Sequence, residues 1–442
     1  MDLDLISNFT VKNLFYKVIR YVYDLESRIA FYPTLFSLGG ILFALLMFYC
    51  ESKGISGYLV ENAPILVVND TETARSLLTT FIGGLISIMV FSFSMVMILL
   101  NQASSNFSPR VLPGLISNKR HQVILGIYNA SLFYSIFTLV SIEPNGNKYQ
   151  LPGFSVLLAI LFMSLCLGAF IYFIHSISQE IQINNIMSRI FSTAKFRIEC
   201  LIENEKSSKT KFPNTSDWNV LKATKSGYIQ DVSIKSIVQI AKDENLKFKI
   251  IPVKGVYSFY RATLIKSSGK LTRGIEEKLL ASFHYSKREL IEDNYLLAFK
   301  QLTEIAIKAM SPGINDPGTA LNALDYLTEL FLIRIQKNDK IYYFDDNEIP
   351  IVLDSTVEFK TLLYNVMTPL RTYCKADAIV VAKLLQMMRY LLENDTNNNV
   401  SYSQAIKDEI NSLYEDAVAS IINSTDVSLL ETEYKRIKDT LF

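Results

Sequence analysis

The stretch that most constrains this chain runs from Leu77 to Leu100, 24 residues without a charge. As a helix it would be about 36 Å long, more than the roughly 30 Å of hydrocarbon in a bilayer. A backbone crossing lipid must bond within itself, so the run is expected to be a transmembrane helix. Thr80, Gly84, Ser87 and Ser94 fall near one stripe at helical spacing. Such a stripe lets helices pack closely or, in an oligomer, lines a polar path.

Half of the 442 residues are hydrophobic and 20% are charged, but the averages conceal a division. Four long apolar runs lie in the first 175 residues, whereas the remainder mixes apolar and charged residues as a water-exposed domain with its own core does. The spans are expected at about Ile29–Tyr49, Leu77–Leu100, Val123–Ile142 and Phe154–Ile174. No Asp, Glu, Lys or Arg sits in the middle of a span, which argues against a proton-coupled carrier, because such carriers need a titratable group at depth.

Before the first span, Phe9, Leu14, Phe15, Val18, Ile19 and Val22 recur at helical spacing among Lys12, Lys17 and Arg20, as in an interfacial helix. The opening MDLDLISNF lacks the basic and apolar pattern of a cleaved signal. Lys and Arg cluster in that N-terminal segment and in the Asn101–Gln122 loop more than in the other two loops, which predicts both termini in the cytoplasm.

Beyond His175 an amphipathic segment continues the fourth span, and KSSKTKFPNTSDWN reads as a loop. GYIQDV and LKFKIIPV alternate as strands, VYSFYRATLI is read as a third, and SIKSIVQIAKDE between the first two has helical spacing with Ser233 as N-cap. Helices then dominate to the end, with Asp345–Pro350 marking a loop or hairpin tip. The divisions are an amphipathic segment (1–28), a four-helix membrane domain (29–175), a connecting helix and loop (176–222), a small α/β module (223–288) and a helical bundle (289–442). The expected fold class is an α-helical membrane protein with four transmembrane helices and a cytoplasmic α+β domain dominated by a helical bundle.

Two motifs carry a resemblance. LLNQASSNFSPRVLPGLISNKRHQVILGIYNASLFYSI and KAMSPGINDPGTALNALDYL, in that order and separation, resemble the two signatures of a bacterial family of predicted membrane proteins, domain of unknown function 2254. Where that family has a glycine-rich turn like GDFV-x-G, this chain reads KGVYSFYRA. The resemblance implies a multi-pass protein of the bacterial inner membrane, and it brings no established activity.

Three groups of residues are candidates for a site. The stripe Thr80, Gly84, Ser87 and Ser94 would pack helices or line a pore. Ser105, Asn106, Ser108 and Arg110, where a span meets the interface, would hold an anion or a lipid headgroup, with helix capping and snorkelling as the plainer explanation. Asn315 and Asp316 fit an interhelical corner, with Asp316 as N-cap and Pro317 at the first helical position, and would alternatively hold a ligand.

The four cysteines lack metal or redox spacing, and no hydrolase, nucleotide-binding or DNA-reading motif occurs. Net charge of +1 gives no field for nucleic acid. No enzyme activity, metal or cofactor is expected; the expected partners are the lipid bilayer and further copies of the chain. The leading expectation is an oligomeric channel or permeation pathway with a cytoplasmic regulatory domain, and the alternative is a membrane-tethered scaffold or sensor whose cytoplasmic domain binds a protein or small ligand.

Overall fold

The computed structural model describes residues 31–62, 64–106, 119–142, 151–180, 182–203, 205, 212–286, 294–395 and 400–441. It divides into two compact units that meet in the chain between Gln182 and Ile183.

Among the described residues the first unit contains four helices long and apolar enough to cross a membrane: α1 (Phe31–Ser52), α3 (Thr71–Asn106), α4 (Lys119–Val140) and α5 (Gly153–Glu180). The short α2 (Ile55–Asn62) and a 3-10 turn at Pro64–Leu66 connect the first two. Large apolar side chains point outward along these helices, among them Leu42, Phe48, Val90, Phe93, Leu161 and Ile171, as a lipid-facing surface requires. α4 is the most enclosed, with 44% of its apolar window buried, so it forms the centre of the unit.

Its partner α1 comes so near that a Cβ on Gly40 would stand 2.4 Å from the carbonyl oxygen of Ala130. Only glycine permits that crossing. α3 buries Leu78, Leu85, Ser92 and Leu99, a seven-residue repeat that forms a straight packing seam.

Polar groups hold the loop side of this unit. Asp70 caps α3, accepting from the Thr73 amide at 2.7 Å. The Thr73 hydrogen bonds keep the Asp70 carboxyl below the ordinary carboxylate range. Glu51, at the end of α1, accepts from Ser56 Oγ and from both the amide and hydroxyl of Ser155 in the first turn of α5. A carboxylate there matches the partial positive charge of a helix N-terminus.

The second unit combines α6 (Ile183–Glu203), two sheets and a bundle. The five-stranded sheet has the order β1 (Asn219–Lys222), β5 (Thr263–Ser267), β3 (Phe248–Ile250), β8 (Pro350–Ser355), β7 (Lys340–Phe344), antiparallel except for β3 beside β8. It therefore draws strands from outside residues 223–288. The second sheet is β4 (Tyr257–Ser258), β2 (Gly227–Val232), β6 (Phe283–Ser286). α7 (Ile234–Asp243) and α8 (Arg273–Ala281) contribute Ile237, Ile240, Ile275 and Leu279 to a core with Phe248, Ile250 and Val352.

One expectation is corrected in this region. VYSFYRATLI is not one strand: Arg261, at φ 65°, turns the backbone so that β4 joins one sheet and β5 the other. Ser233 stands at the N-cap of α7 without a side-chain capping bond, because its hydroxyl lies 3.1 Å from His284 Nε2 instead.

Among the described residues six helices complete the unit: α9 (Leu296–Ala309), α10 (Pro317–Arg334), α11 (Phe359–Cys374), α12 (Ala378–Glu393), α13 (Val400–Val418) and α14 (Ser424–Leu441). A ladder of rings ties them, with centroids 4.7 Å apart for Phe299–Phe331, 6.0 Å for Phe331–Phe359 and 4.6 Å for Phe359–Tyr402. Asp345 folds the expected tip between β7 and β8, accepting from the amides of Asn347 and Ile349.

Candidate functional site

From the last turn of α10 into β7 the chain reads FLIRIQKNDKI, and Arg334 and Lys337 within it are buried. Arg334 lies inside with no exposure and donates to Asp339 Oδ1 at 2.5 Å and to the carbonyls of Lys337 and Val357 at 2.8 Å each. Lys337 is equally enclosed; its ammonium is 2.8 Å from Glu205, just past the end of α6. Glu205 also accepts from the amide and side chain of Asn338, both at 3.0 Å. A buried charge persists only when paired in this way. The knot fixes α6 against the α10–β7 turn and sets one wall of a cavity.

That cavity, about 150 Å³, opens between α6, the ends of β2, β7 and β8, the turn after β3 and the start of α9. Its charged lining consists of Arg197, Asp231, Lys254, Lys337 and Asp354, joined by Tyr343 and Asn294. Lys254 pairs with Asp231 at 2.9 Å and Lys337 with Glu205, which leaves Arg197 and Asp354. Among the described residues no carboxylate pairs with Arg197, and its Nε is buried without a hydrogen-bond partner. Burial lifts the Asp354 carboxyl to about 7, with the Lys337 charge pulling the other way. The same enclosure lowers the Lys337 ammonium against the pull of Glu205, and pushes the Tyr343 phenol up to about 12.

Backbone geometry sets the rim. Gly255 has φ 83°, and a Cβ there would stand 1.9 Å from Asn294 Nδ2, so the turn beside Lys254 needs glycine for both reasons. Its amide donates to the Ile229 carbonyl at 2.7 Å, which ties that turn to β2. Asn294 Oδ1 in turn accepts from the Leu296 amide at 3.1 Å as α9 begins.

Chemically the cavity offers a fixed guanidinium, a carboxyl that holds or releases its proton near neutral pH, and a phenol. It suits a small polar molecule with an anionic group for Arg197 and a donor for Asp354. Shifted titration in an enclosed cleft is a usual mark of a functional site.

The structure keeps the residues singled out from sequence apart. Thr80, Ser87 and Ser94 are exposed on the face of α3 turned away from the Leu78–Leu99 seam, and each hydroxyl donates to the carbonyl four residues earlier. Gly84 is half-buried, where a Cβ would touch Met163 of α5 at 3.4 Å. Ser108 and Arg110 lie outside the described residues, as do the side chains of Ser105 and Asn106. Asp316 accepts from the Thr319 amide at 3.1 Å as the N-cap of α10, and this bonding lowers its carboxyl's affinity for a proton. Asn315 beside it is exposed with φ 50°, and neither approaches the cavity lining. Among the described residues no three His, Cys, Asp or Glu side chains gather in a way that would hold a metal ion.

A family model described as "Predicted membrane protein (DUF2254)" matches residues 26–390. The chain belongs to that family. The family match spans α1 through most of α12, so it takes in both units and every residue of the cavity. Curated relatives include uncharacterized proteins of Mycobacterium bovis and Mycobacterium tuberculosis, each 24% identical over 357 residues, covering 77% of this chain and 67% of theirs. No solved structure matches.

Arg197 and Asp354 escaped sequence reading because 157 positions separate them, as numbered in the chain. A faint signal existed: the single carboxylate closing the apolar strand PIVLD, and the Arg and Lys set in FLIRIQK.

Proposed function

We propose that this chain is a membrane-tethered sensor whose second unit binds a small polar ligand in the cavity between Arg197 and Asp354. One observation carries the reading: in a cavity where the neighbouring charges are paired, one cation and one carboxyl have no ion-pair partner among the described residues. The volume matches the roughly 150 Å³ that accommodates a benzene-sized guest, so the ligand has about six to eight heavy atoms. At a ceiling near −1.5 kcal/mol per atom, such a molecule gains at best about −9 to −12 kcal/mol, which corresponds to sub-micromolar to nanomolar affinity. An amino acid or a short hydroxycarboxylate has the required groups.

The excess of Lys and Arg near the N-terminal segment and the Asn101–Gln122 loop supports a cytoplasmic second unit and an inner-membrane location. The role is binding without turnover.

The test is calorimetry on the full chain in detergent against a panel of amino acids and small carboxylates. A binder should lose about tenfold or more in affinity in Arg197→Ala, since a charge-assisted bond is worth about 1.5–3 kcal/mol. No binder in the panel, or a binder indifferent to Arg197→Ala, defeats the reading.

A second reading, an oligomeric pore, is favoured by the outward position of Thr80, Ser87 and Ser94 at seven-residue spacing. Flux through reconstituted protein, abolished by Ser87→Leu, is its expected outcome; vesicles that stay tight exclude it.

A further inference from the structure

Two loops of the second unit, 222–228 and 255–262, lie side by side. The Arg261 amide donates to the Ala223 carbonyl at 2.9 Å, the Ala223 amide to the Ala262 carbonyl at 2.8 Å, and the Tyr260 amide to Ser226 Oγ at 2.8 Å. Together they present Val256, Tyr257, Phe259 and Tyr260 to solvent, with Phe259 70% and Tyr260 61% exposed.

These rings are held outward by their neighbours. Tyr228 and Tyr257 meet edge to face at 5.2 Å, as do Tyr257 and Phe259. The left-handed backbone at Arg261 costs about 1 kcal/mol or more for a residue with a Cβ, and it turns the tip outward.

Within these two loops the charged residues are all positive. Lys222, Lys225 and Arg261 are exposed; the Lys225 ammonium lies 4.7 Å from the Tyr285 ring and the Arg261 guanidinium 5.7 Å from that of Tyr260. Neither KATKSGY nor GVYSFYRA contains an acidic residue, and Asp231, the next carboxylate along the chain, is taken by Lys254.

We infer that this aromatic and basic tip is a membrane-contacting surface that seats in the headgroup layer of an anionic bilayer. Tyrosine and phenylalanine flanked by cations prefer that layer, where rings reach the acyl boundary and ammonium groups meet phosphate. A protein partner would also welcome these rings, but it would have to balance the three positive charges of the two loops, which an anionic lipid surface does by composition. The covalent link to a unit with four membrane-length helices raises the local concentration of lipid around the tip.

The test uses the full chain with its one tryptophan removed (Trp218→Phe) and Phe259→Trp as reporter, in vesicles of phosphatidylcholine alone or with about one third phosphatidylglycerol. Ile422→Trp, at a fully exposed position, is the control. We expect a blue shift and quenching by brominated lipid chains at position 259 in the anionic vesicles, beyond any at position 422. Each of the three cations is worth about fivefold in partitioning, so Lys222→Glu, Lys225→Glu and Arg261→Glu should successively remove the effect, as should about 0.5 M salt. Equal emission in both vesicle types, or shielding that appears only when a membrane protein extract is added, overturns the inference. None of these readouts depends on a ligand in the cavity.

Discussion

The two units satisfy their polar groups in opposite ways. In the first, hydroxyls along the spans bond to their own helix: Thr80, Ser87, Ser94 and Ser164 each donate to the carbonyl four residues back. In the second, buried charge is met across the chain, with Glu205 on Lys337 and Asn338, and Arg371 on Glu409 and Asp416. Lipid offers no water to compensate a misplaced polar group, so a span keeps its bonding local. A water-exposed domain tolerates distant pairing, and the cavity between Arg197 and Asp354 is one product of it. The first unit has exceptions: Glu51 reaches Ser155 across 104 positions at the end of a span, Arg75 donates to the Ile142 carbonyl, Tyr134 to the Ser155 carbonyl and Cys166 to Ser131 Oγ.

If distant pairing holds the second unit, cutting one partner should be the most damaging change. Lys337→Met leaves Glu205 enclosed without its cation and is expected to cost about 3–5 kcal/mol in chemical denaturation of the detergent-solubilised protein. The double variant with Glu205→Gln should recover much of that loss; an equal loss in both would break the contrast.

The next largest effect is the pH dependence of Asp354. Its carboxyl is raised from 3.8 to about 7 in the folded chain, so the protonated form favours folding below pH 4 and the contribution is lost as pH rises through about 7. Asp354→Asn should therefore raise the melting temperature at pH 8, by a stabilisation of up to about 4 kcal/mol, and leave it unchanged at pH 4. A shift independent of pH would mean that the carboxyl is not enclosed.

In the first unit the sensitive element is backbone proximity. Gly40→Ala forces a methyl group against the Ala130 carbonyl and should cost about 1–3 kcal/mol, read as a lower melting temperature in detergent. Gly39→Ala, one position away with open space around it, should change little.

The smallest effect sharpens the comparison from the other side. Replacing Thr80, Ser87 and Ser94 together with Ala should alter stability by less than about 0.5 kcal/mol per site, because each hydroxyl serves only its own helix and faces outward. A large loss would reveal a partner against that face.

Much of the fold could be read from the sequence, though unevenly. The spans were legible since a run such as Leu77–Leu100 declares its environment by composition alone. The bundle helices were legible from their periodicity, and Asp316 from the capping chemistry of a short acidic side chain. The strand VYSFYRATLI was misjudged because alternation continues through Arg261, whose positive φ carries no apolar signature. The cavity was illegible for a different reason: Arg197 and Asp354 each look like an ordinary surface charge until the helix and strand that bear them are brought together.

By itself, then, the sequence determined that this chain has four helices long and apolar enough to cross a membrane, followed by a region of strands and bundled helices, along with its family. Those properties rest on local composition, period and capping, which act over a few turns of chain. Only the tertiary structure decided which strands share a sheet, which glycine meets a neighbouring backbone, and which charges remain unpaired in a cavity. Each of these depends on groups tens to hundreds of residues apart, where desolvation and pairing set the energy and neighbouring residues do not.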